Sequence, residues 1–323
     1  MKNKNLILSL ACFLCLPIGA ASFHGTGELK YGIATQSTID LRLNPEFESE
    51  MGTEALMGMP LEVLDLQDGW LKLKTPEGYI SWSPESSVRL VTKEELREWN
   101  KAEKLFVTDY FTVLHQKASD QSPVVCDVVK GDLVKSKGET GAYYKVELPD
   151  GRSAFLKKGA AMPFGKWLAS RNPTPQNIIA TARLFMGFPY SWGGTSVKGL
   201  DCSGFTKTCY YLNGVVLLRD ASQQAQTGDP VDISTGYGNL RPGDLLFFGS
   251  CKDGQNKVTH VGLYIGNGEF IHSSGSVRTS SLLPESPLYD SWNAGRLLLA
   301  KRIITEIDKD PNIVSLKNHP MYR

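Results

Sequence analysis

The sequence predicts a multidomain chain in which two small β-barrels are followed by an α+β domain. Three observations carry that expectation. The 323 residues suffice for two or three domains. Two strand-rich stretches align with one another, and a cysteine that opens a helix is followed by a hairpin bearing two histidines.

Residues 1–21 combine Lys2 and Lys4, an apolar run from Leu6 to Leu16, and small residues at Gly19-Ala-Ala21. This is the pattern of an export signal, too short for a stable membrane anchor and cleaved after Ala20 or Ala21. Cys12 and Cys15 leave a lipid-anchored start as the alternative. Formal charge is +1 with no basic cluster, so nucleic-acid binding has no electrostatic support. Removal of the signal leaves Cys126, Cys202, Cys209 and Cys251, whose spacings form neither a disulfide framework nor a zinc motif. Cys126 and Cys209 read as structural.

The repeats span residues 22–91 and 105–161. With an offset of 73, Gly58-Met-Pro-Leu-Glu62 aligns with Gly131-Asp-Leu-Val-Lys135, and Trp70 to Gly78 aligns with Tyr143 to Gly151. Short strands with Pro-Glu-Gly and Pro-Asp-Gly turns suggest barrels. Between them, residues 92–104 read as a helical connector opened by a Thr92/Glu95 capping box. Residues 162–175 read as a linker, 176–306 as the α+β domain and 307–323 as a tail.

In the α+β part, Thr174-Pro175 starts a helix whose stripe Ile178, Ile179, Ala182, Phe185 and Met186 is core, closed by Gly187. Trp192-Gly-Gly194 is a tight turn whose glycines allow close approach of a ligand. Asp201 is an N-cap, Phe205, Cys209 and Leu212 recur at helical spacing, and Asn213-Gly214 is a left-handed stop. Cys202 therefore lies in the first turn, where free N–H groups and the helix dipole favour thiolate while the Asp201 charge opposes it. A buried, inert cysteine is the alternative.

A thiol nucleophile needs a base. Residues 258–265 and 269–272 read as strands joined through Gly266-Asn-Gly268. A clean two-residue loop would turn His260 and His272 to opposite faces. A three-residue loop, pairing Ile265 with Glu269 and Gly262 with His272, places them diagonally on one face, roughly 7–8 Å apart at Cα. A Cys202, His260, His272 relay is then possible; two surface histidines are the alternative. Arg241-Pro-Gly-Asp244 is a turn feeding a strand that starts at Leu245.

Tyr190-Ser-Trp-Gly-Gly194, Asp201-Cys-Ser-Gly204, Arg219-Asp-Ala-Ser222, Arg241-Pro-Gly-Asp-Leu245, His260-Val-Gly-Leu-Tyr264 and Phe270-Ile-His272 occur in order. Together, over residues 175–304, they resemble the NlpC/P60 papain-like cysteine peptidases of bacterial cell walls. Both barrels resemble bacterial SH3-like domains. The resemblance implies Cys202 as nucleophile, His260 as base and His272 as third residue. It also implies hydrolysis of the γ-D-glutamyl bond to a diamino acid in murein stem peptides, without cofactor or metal. The exported chain reads as a periplasmic monomer, with a secreted or lipid-anchored protein as the alternative. Tyr190 resembles the family tyrosine beside the oxyanion, with a structural hydrogen bond as its simpler role. Asp201, Ser203 and Ser222 match substrate-lining positions, although Asp201 also serves as a cap. Arg219 could meet the D-Glu carboxylate, with a surface salt bridge as the simpler role.

In relatives with this layout the first SH3-like domain closes the far end of the cleft. The resemblance implies that Glu50, with Glu54 second, and Tyr79 bind the free amine of an N-terminal L-Ala, so that released peptides are cut during murein recycling. The alternatives are an endopeptidase of intact wall, a non-catalytic wall-binding module and an amidase or acyltransferase.

Overall fold

In the computed structural model, which describes residues 29–323, the sequence repeat becomes two seven-stranded antiparallel sheets of identical strand order. The expected signal at 1–21 lies outside the described residues. The first sheet runs Met51–Leu56, Thr38–Arg42, Ile80–Pro84, Trp70–Lys74, Pro60–Gln67, Tyr31–Ala34, Val88–Val91. Every strand of the second sheet starts 73 residues after its counterpart, as Leu133 does after Pro60. The copies therefore differ by substitution, with no insertion inside the sheets. Alternation sets the inward faces: Leu71 and Leu73 are buried in the first sheet and Lys72 and Lys74 point outward. Gly58 and Gly131 both take a left-handed backbone, at φ 80° and 105°, on the turns that precede the Pro60 and Leu133 strands. Between the sheets, helix Lys93–Lys101 carries the full Thr92/Glu95 capping box.

The segment expected as a linker is part of the core. Its Pro163 opens a short helix, Phe164–Ala169, and Trp167 is buried, stacked on Phe106 of the second sheet at 3.7 Å between ring centroids. Pro and Gly there mark a helix entry, which composition alone cannot distinguish from a flexible link.

The last part holds a six-stranded sheet in the order Asp229–Val231, Leu297–Arg302, Leu245–Lys252, Gln255–Gly266, Glu269–Ser274, Ser276–Ser281. Helix Cys202–Tyr211 packs on it, flanked by helix Pro175–Arg183. Ile178, Ile179, Ala182 and Phe185 are buried as expected, whereas Met186 is exposed. The helix ends at Leu184, so the stripe no longer applies at 186.

One apolar cluster joins Phe205, Cys209 and Val261 to Leu56 of the first sheet and Phe106, Val129 and Leu133 of the second. Polar contacts reinforce the junction. Asp132 accepts from Met57 N–H at 3.1 Å, and Lys207 of the central helix meets Glu77 at 3.0 Å. The tail is fastened rather than loose. Val314–Ser315 pairs with Val215–Val216, His319 Nε2 donates to the Pro76 carbonyl at 3.0 Å, and Asn100 donates to the carbonyls of Met321 and Arg323. No described helix is long and apolar enough to cross a membrane.

Candidate active site

Asp201 caps helix Cys202–Tyr211 by accepting from Gly204 N–H at 2.7 Å, which fixes Cys202 as the first helical residue. The cap is also the centre of a buried polar knot. Its carboxylate accepts from Gly193 N–H at 3.0 Å and pairs with the Arg219 guanidinium, which donates to Ser203 Oγ at 3.0 Å. Arg219 is 2% exposed, so it is not on a surface salt bridge. A buried guanidinium needs a paired carboxylate, and Asp201 supplies it.

The hairpin resolves the register question by a route the loop length alone does not reveal. The loop is the two-residue Asn267-Gly268, both at positive φ, closing on Gly266 opposite Glu269. Ile265 is bulged, after which Tyr264 pairs with Phe270 and Leu263 with Ile271. The bulge supplies the extra residue, and the histidines share a face. His260 Nε2 lies 2.7 Å from His272 Nδ1, and His272 Nε2 lies 3.1 Å from Ser280 Oγ. If Ser280 accepts, His272 carries its proton on Nε2 and presents Nδ1 as acceptor. His260 then carries its proton on Nε2, which leaves its Nδ1 basic. Phe248 and Phe270 pack against the two rings.

Burial, with the Asp201 charge second, pushes the Cys202 thiol up to about 11; the N–H groups of Val261 and Ser203 oppose this. The sulfur thus lies against the residue that follows His260. Burial, aided by the Arg296 charge, lowers His260 to about 4, and burial with the neighbouring His260 lowers His272 to about 3. The resting pair at neutral pH is therefore thiol and neutral imidazole. The helix terminus does not outweigh desolvation.

A cavity of about 360 Å³ opens beside the sulfur. It brings together Cys202, Tyr190, Asp201, Ser203 and Ser222 from the α+β part with Glu50 and Tyr79, which immediately precede strands Met51–Leu56 and Ile80–Pro84 of the first sheet. Burial, then the Cys202 charge, raises the Tyr190 hydroxyl above its ordinary value. Glu54 is not in the cavity. It is buried at the junction, accepting from Thr195 N–H at 2.6 Å and Ser196 Oγ at 3.3 Å. Along strand Met51–Leu56 the bulge at Gly52, between the Leu41/Thr53 and Arg42/Met51 pairs, and the pleat turn Glu54 towards the Thr195–Ser196 strand, while Glu50 stays at the rim.

Gly193 also corrects an expectation. A Cβ there, at φ 78°, would sit 2.5 Å from the Met51 carbonyl, so the Trp192-Gly-Gly194 turn accommodates the first sheet's backbone. Asp220, Thr259 and Trp192 line the cavity too and were not singled out as site residues in the sequence. Trp192 Nε1 donates to Glu50 at 2.6 Å, a contact between residues 142 apart that no local pattern announces. Asp220 lies in the quoted Arg219-Asp-Ala-Ser222 motif, which was its available signal. The four described cysteines are unpaired, and no described His, Cys, Asp or Glu cluster could hold a metal.

The NlpC/P60 family matches residues 187–296, and a bacterial dipeptidyl-peptidase Sh3 domain matches residues 41–88. A γ-D-glutamyl-L-lysine dipeptidyl-peptidase of Bacillus cereus is 32% identical over 271 residues, covering 80% of this chain and 78% of the relative. The chain belongs to the NlpC/P60 family. It is a cysteine peptidase, a hydrolase with an SH3 domain ahead of its NlpC/P60 domain. Dipeptidyl-peptidase 6 of Lysinibacillus sphaericus is 28% identical over 259 residues, covering 77% of this chain and 91% of that one. Among solved structures, an NlpC/P60 family protein from Bacillus cereus superposes with a TM-score of 0.70 at 26% identity, covering 84% of this chain and 99% of the other.

Proposed function

We propose that this NlpC/P60 peptidase hydrolyses the γ-D-glutamyl bond to a diamino acid in murein peptides that have a free N-terminal L-Ala, and so acts in the turnover of released wall fragments. The observation that carries this reading is the cavity beside Cys202, which Glu50 and Tyr79 of the SH3 domain wall on one side. A peptide whose L-Ala amine meets that wall has no room to continue into a sugar chain. The names of two relatives, each called a γ-D-glutamyl-L-lysine dipeptidyl-peptidase, support the same bond.

Cys202 Sγ attacks the γ-carbonyl as its proton passes to His260 Nδ1. His272 and Ser280 hold His260 in the required tautomer. The Cys202 N–H at the helix terminus and the Tyr190 hydroxyl face the developing oxyanion. His260 protonates the departing amine, and the C–N bond breaks to leave a thioester. Water, deprotonated by His260, then releases the dipeptide acid and restores the thiol. Asp201 holds the helix start and Arg219, while Ser203 and Ser222 line the D-Glu side. In this reading the second sheet is a further SH3-like barrel, the domains are 22–91, 105–161 and 176–306, and the chain is exported.

The test is mass spectrometry of products from L-Ala-γ-D-Glu-L-Lys, its diaminopimelate counterpart and the N-acetylated form of each. Release of L-Ala-D-Glu from a free peptide alone is the expected result, with none from the Cys202→Ala variant. Equal cleavage of free and acetylated forms overturns the amine requirement, and activity retained without Cys202 overturns the mechanism.

A further inference from the structure

Tyr79 reaches the cavity from the end of a tight turn, and that turn is held from outside the first sheet. Thr75 N–H donates to the Tyr79 carbonyl at 2.9 Å, Gly78 N–H donates to the Thr75 carbonyl at 2.8 Å, and Tyr79 N–H donates to Thr75 Oγ1 at 3.2 Å. The turn therefore moves as a unit, and whatever grips its tip sets where Tyr79 stands. Two grips are present. The Glu77 carboxylate meets Lys207, on the helix that Cys202 opens, at 3.0 Å, and the Pro76 carbonyl accepts from His319 Nε2 at 3.0 Å. The Tyr79 ring itself lies close on backbone: a Cβ at Gly52 would sit 2.9 Å from its Cε1.

His319 is well held for this contact. It is 6% exposed, and its Nδ1 accepts from Met321 N–H at 3.2 Å, so Nε2 carries the proton that the Pro76 carbonyl receives. Its ring meets Tyr322 edge-on at 5.7 Å, and Tyr322 shares a hydrogen bond with Tyr211 of the Cys202 helix. Upstream, Ile313 and Leu316 are buried in the apolar cluster around that helix, and Val314–Ser315 pairs with Val215–Val216. The tail is thus an extension of the α+β part that reaches across to the turn. The second sheet supplies a comparison. Its turn Leu148 to Arg152 makes the same two backbone bonds, at 2.8 and 2.9 Å, but Asp150, the counterpart of Glu77, is exposed and pairs with Arg152 of its own turn at 2.7 Å. The grip by helix and tail belongs to the copy of the turn that lines the cavity.

We propose that His319 is a positioning residue for Tyr79: the tail, together with Lys207, holds the Thr75 to Tyr79 turn at the spacing from Cys202 that the peptide's N-terminal end requires. This rests on the reading of Tyr79 as part of the amine-binding wall. Because both grips come from the nucleophile's helix or from the segment packed on it, the SH3 domain cannot shift away from Cys202 at this point without breaking them. The wall and the nucleophile are held in one frame, which is what a fixed distance between two binding groups needs.

The experiment measures KM and kcat on L-Ala-γ-D-Glu-diamino acid peptides, free and N-acetylated. His319→Leu removes the donor and keeps an apolar side chain in its place. KM for the free peptide should rise about two- to tenfold, the scale of one neutral hydrogen bond, with kcat and the acetylated peptide unchanged. His319→Gln can offer an amide N–H to Pro76 and should retain most of the affinity. In a Tyr79→Phe background the effect of His319→Leu should shrink towards none, since the contact acts by placing the Tyr79 hydroxyl. A merely structural role would lower the thermal midpoint and the active fraction, reducing kcat on both peptides and leaving KM alone. Asn100→Ala releases the carbonyls of Met321 and Arg323 without touching the His319 ring, and should raise KM by a smaller factor. It keeps the test open if His319→Leu does not fold. An unchanged KM in every variant that folds, or an equal rise with Tyr79→Phe in place, overturns this inference alone. Cleavage of no peptide by the wild type overturns the proposed function and this inference with it.

Discussion

Replacing Glu50 by Gln isolates the amine-reading role of the SH3 domain. Glu50 uses Oε1 to accept from Trp192 Nε1 at 2.6 Å, and its second oxygen has no described partner. Glutamine keeps a carbonyl oxygen for Trp192, so the rim retains its shape while the negative charge is removed. A charge-assisted hydrogen bond to an ammonium contributes about 1.5–3 kcal/mol, or about 10–150-fold in affinity. The amine lies far from the bond being broken and is held equally in ground and transition states. The loss should therefore fall on KM, with kcat little changed. Initial rates on L-Ala-γ-D-Glu-diamino acid peptides, free and N-acetylated, provide the readout. The free peptide should lose at least about tenfold in kcat/KM while the acetylated one stays as poor as before. An equal fall on both peptides, or no fall on the free one, would show that Glu50 does not read the amine.

Three further outcomes follow from the site's electrostatics. His260 acts as base only when neutral, and burial lowers it to about 4. The acid limb of kcat/KM should thus have its midpoint near 4 and be flat through 6.5; a midpoint at the ordinary histidine value would contradict the buried relay. Asp201→Ala leaves the Arg219 guanidinium buried without a partner and should cost about 3–5 kcal/mol in urea unfolding, part of which Asp201→Ala with Arg219→Met should recover; a loss under about 1 kcal/mol would mean that water reaches the knot. Burial raises Glu54 from its ordinary value, so its contribution is fully present at low pH and is lost as pH rises through the folded value. Glu54→Gln stays neutral, and its thermal midpoint relative to the wild type should rise between pH 4 and 8; parallel curves would refute that sign.

What could be read from the sequence follows the range of the physics involved. The repeat offset, the capping box at Thr92 and the Asp201 cap are each set by residues within one turn or one strand, and the structure has them all. Contacts across the junction leave no such trace. Glu54 and Glu50 differ by four positions in an acidic run, yet one is a buried anchor for Thr195 and the other a rim carboxylate, because the bulge and pleat of one strand decide which meets the facing backbone. Trp167 and Arg219 look like linker and surface residues until the faces that cover them are known.

The hairpin shows where local rules conflict and what settles the conflict. Asn267-Gly268 is a strong two-residue turn, and taken alone it turns the histidines apart. Two polar rings on opposite faces of a strand pair packed by a helix would leave one imidazole in the apolar core and the other unsupported. The bulge at Ile265 shifts the parity by one residue, keeps the preferred turn, and lets His272 spend its buried nitrogens on His260 and Ser280. Loop composition predicts the turn, but the need to satisfy a buried histidine predicts the register, and in this hairpin the second requirement governs the geometry on which catalysis depends.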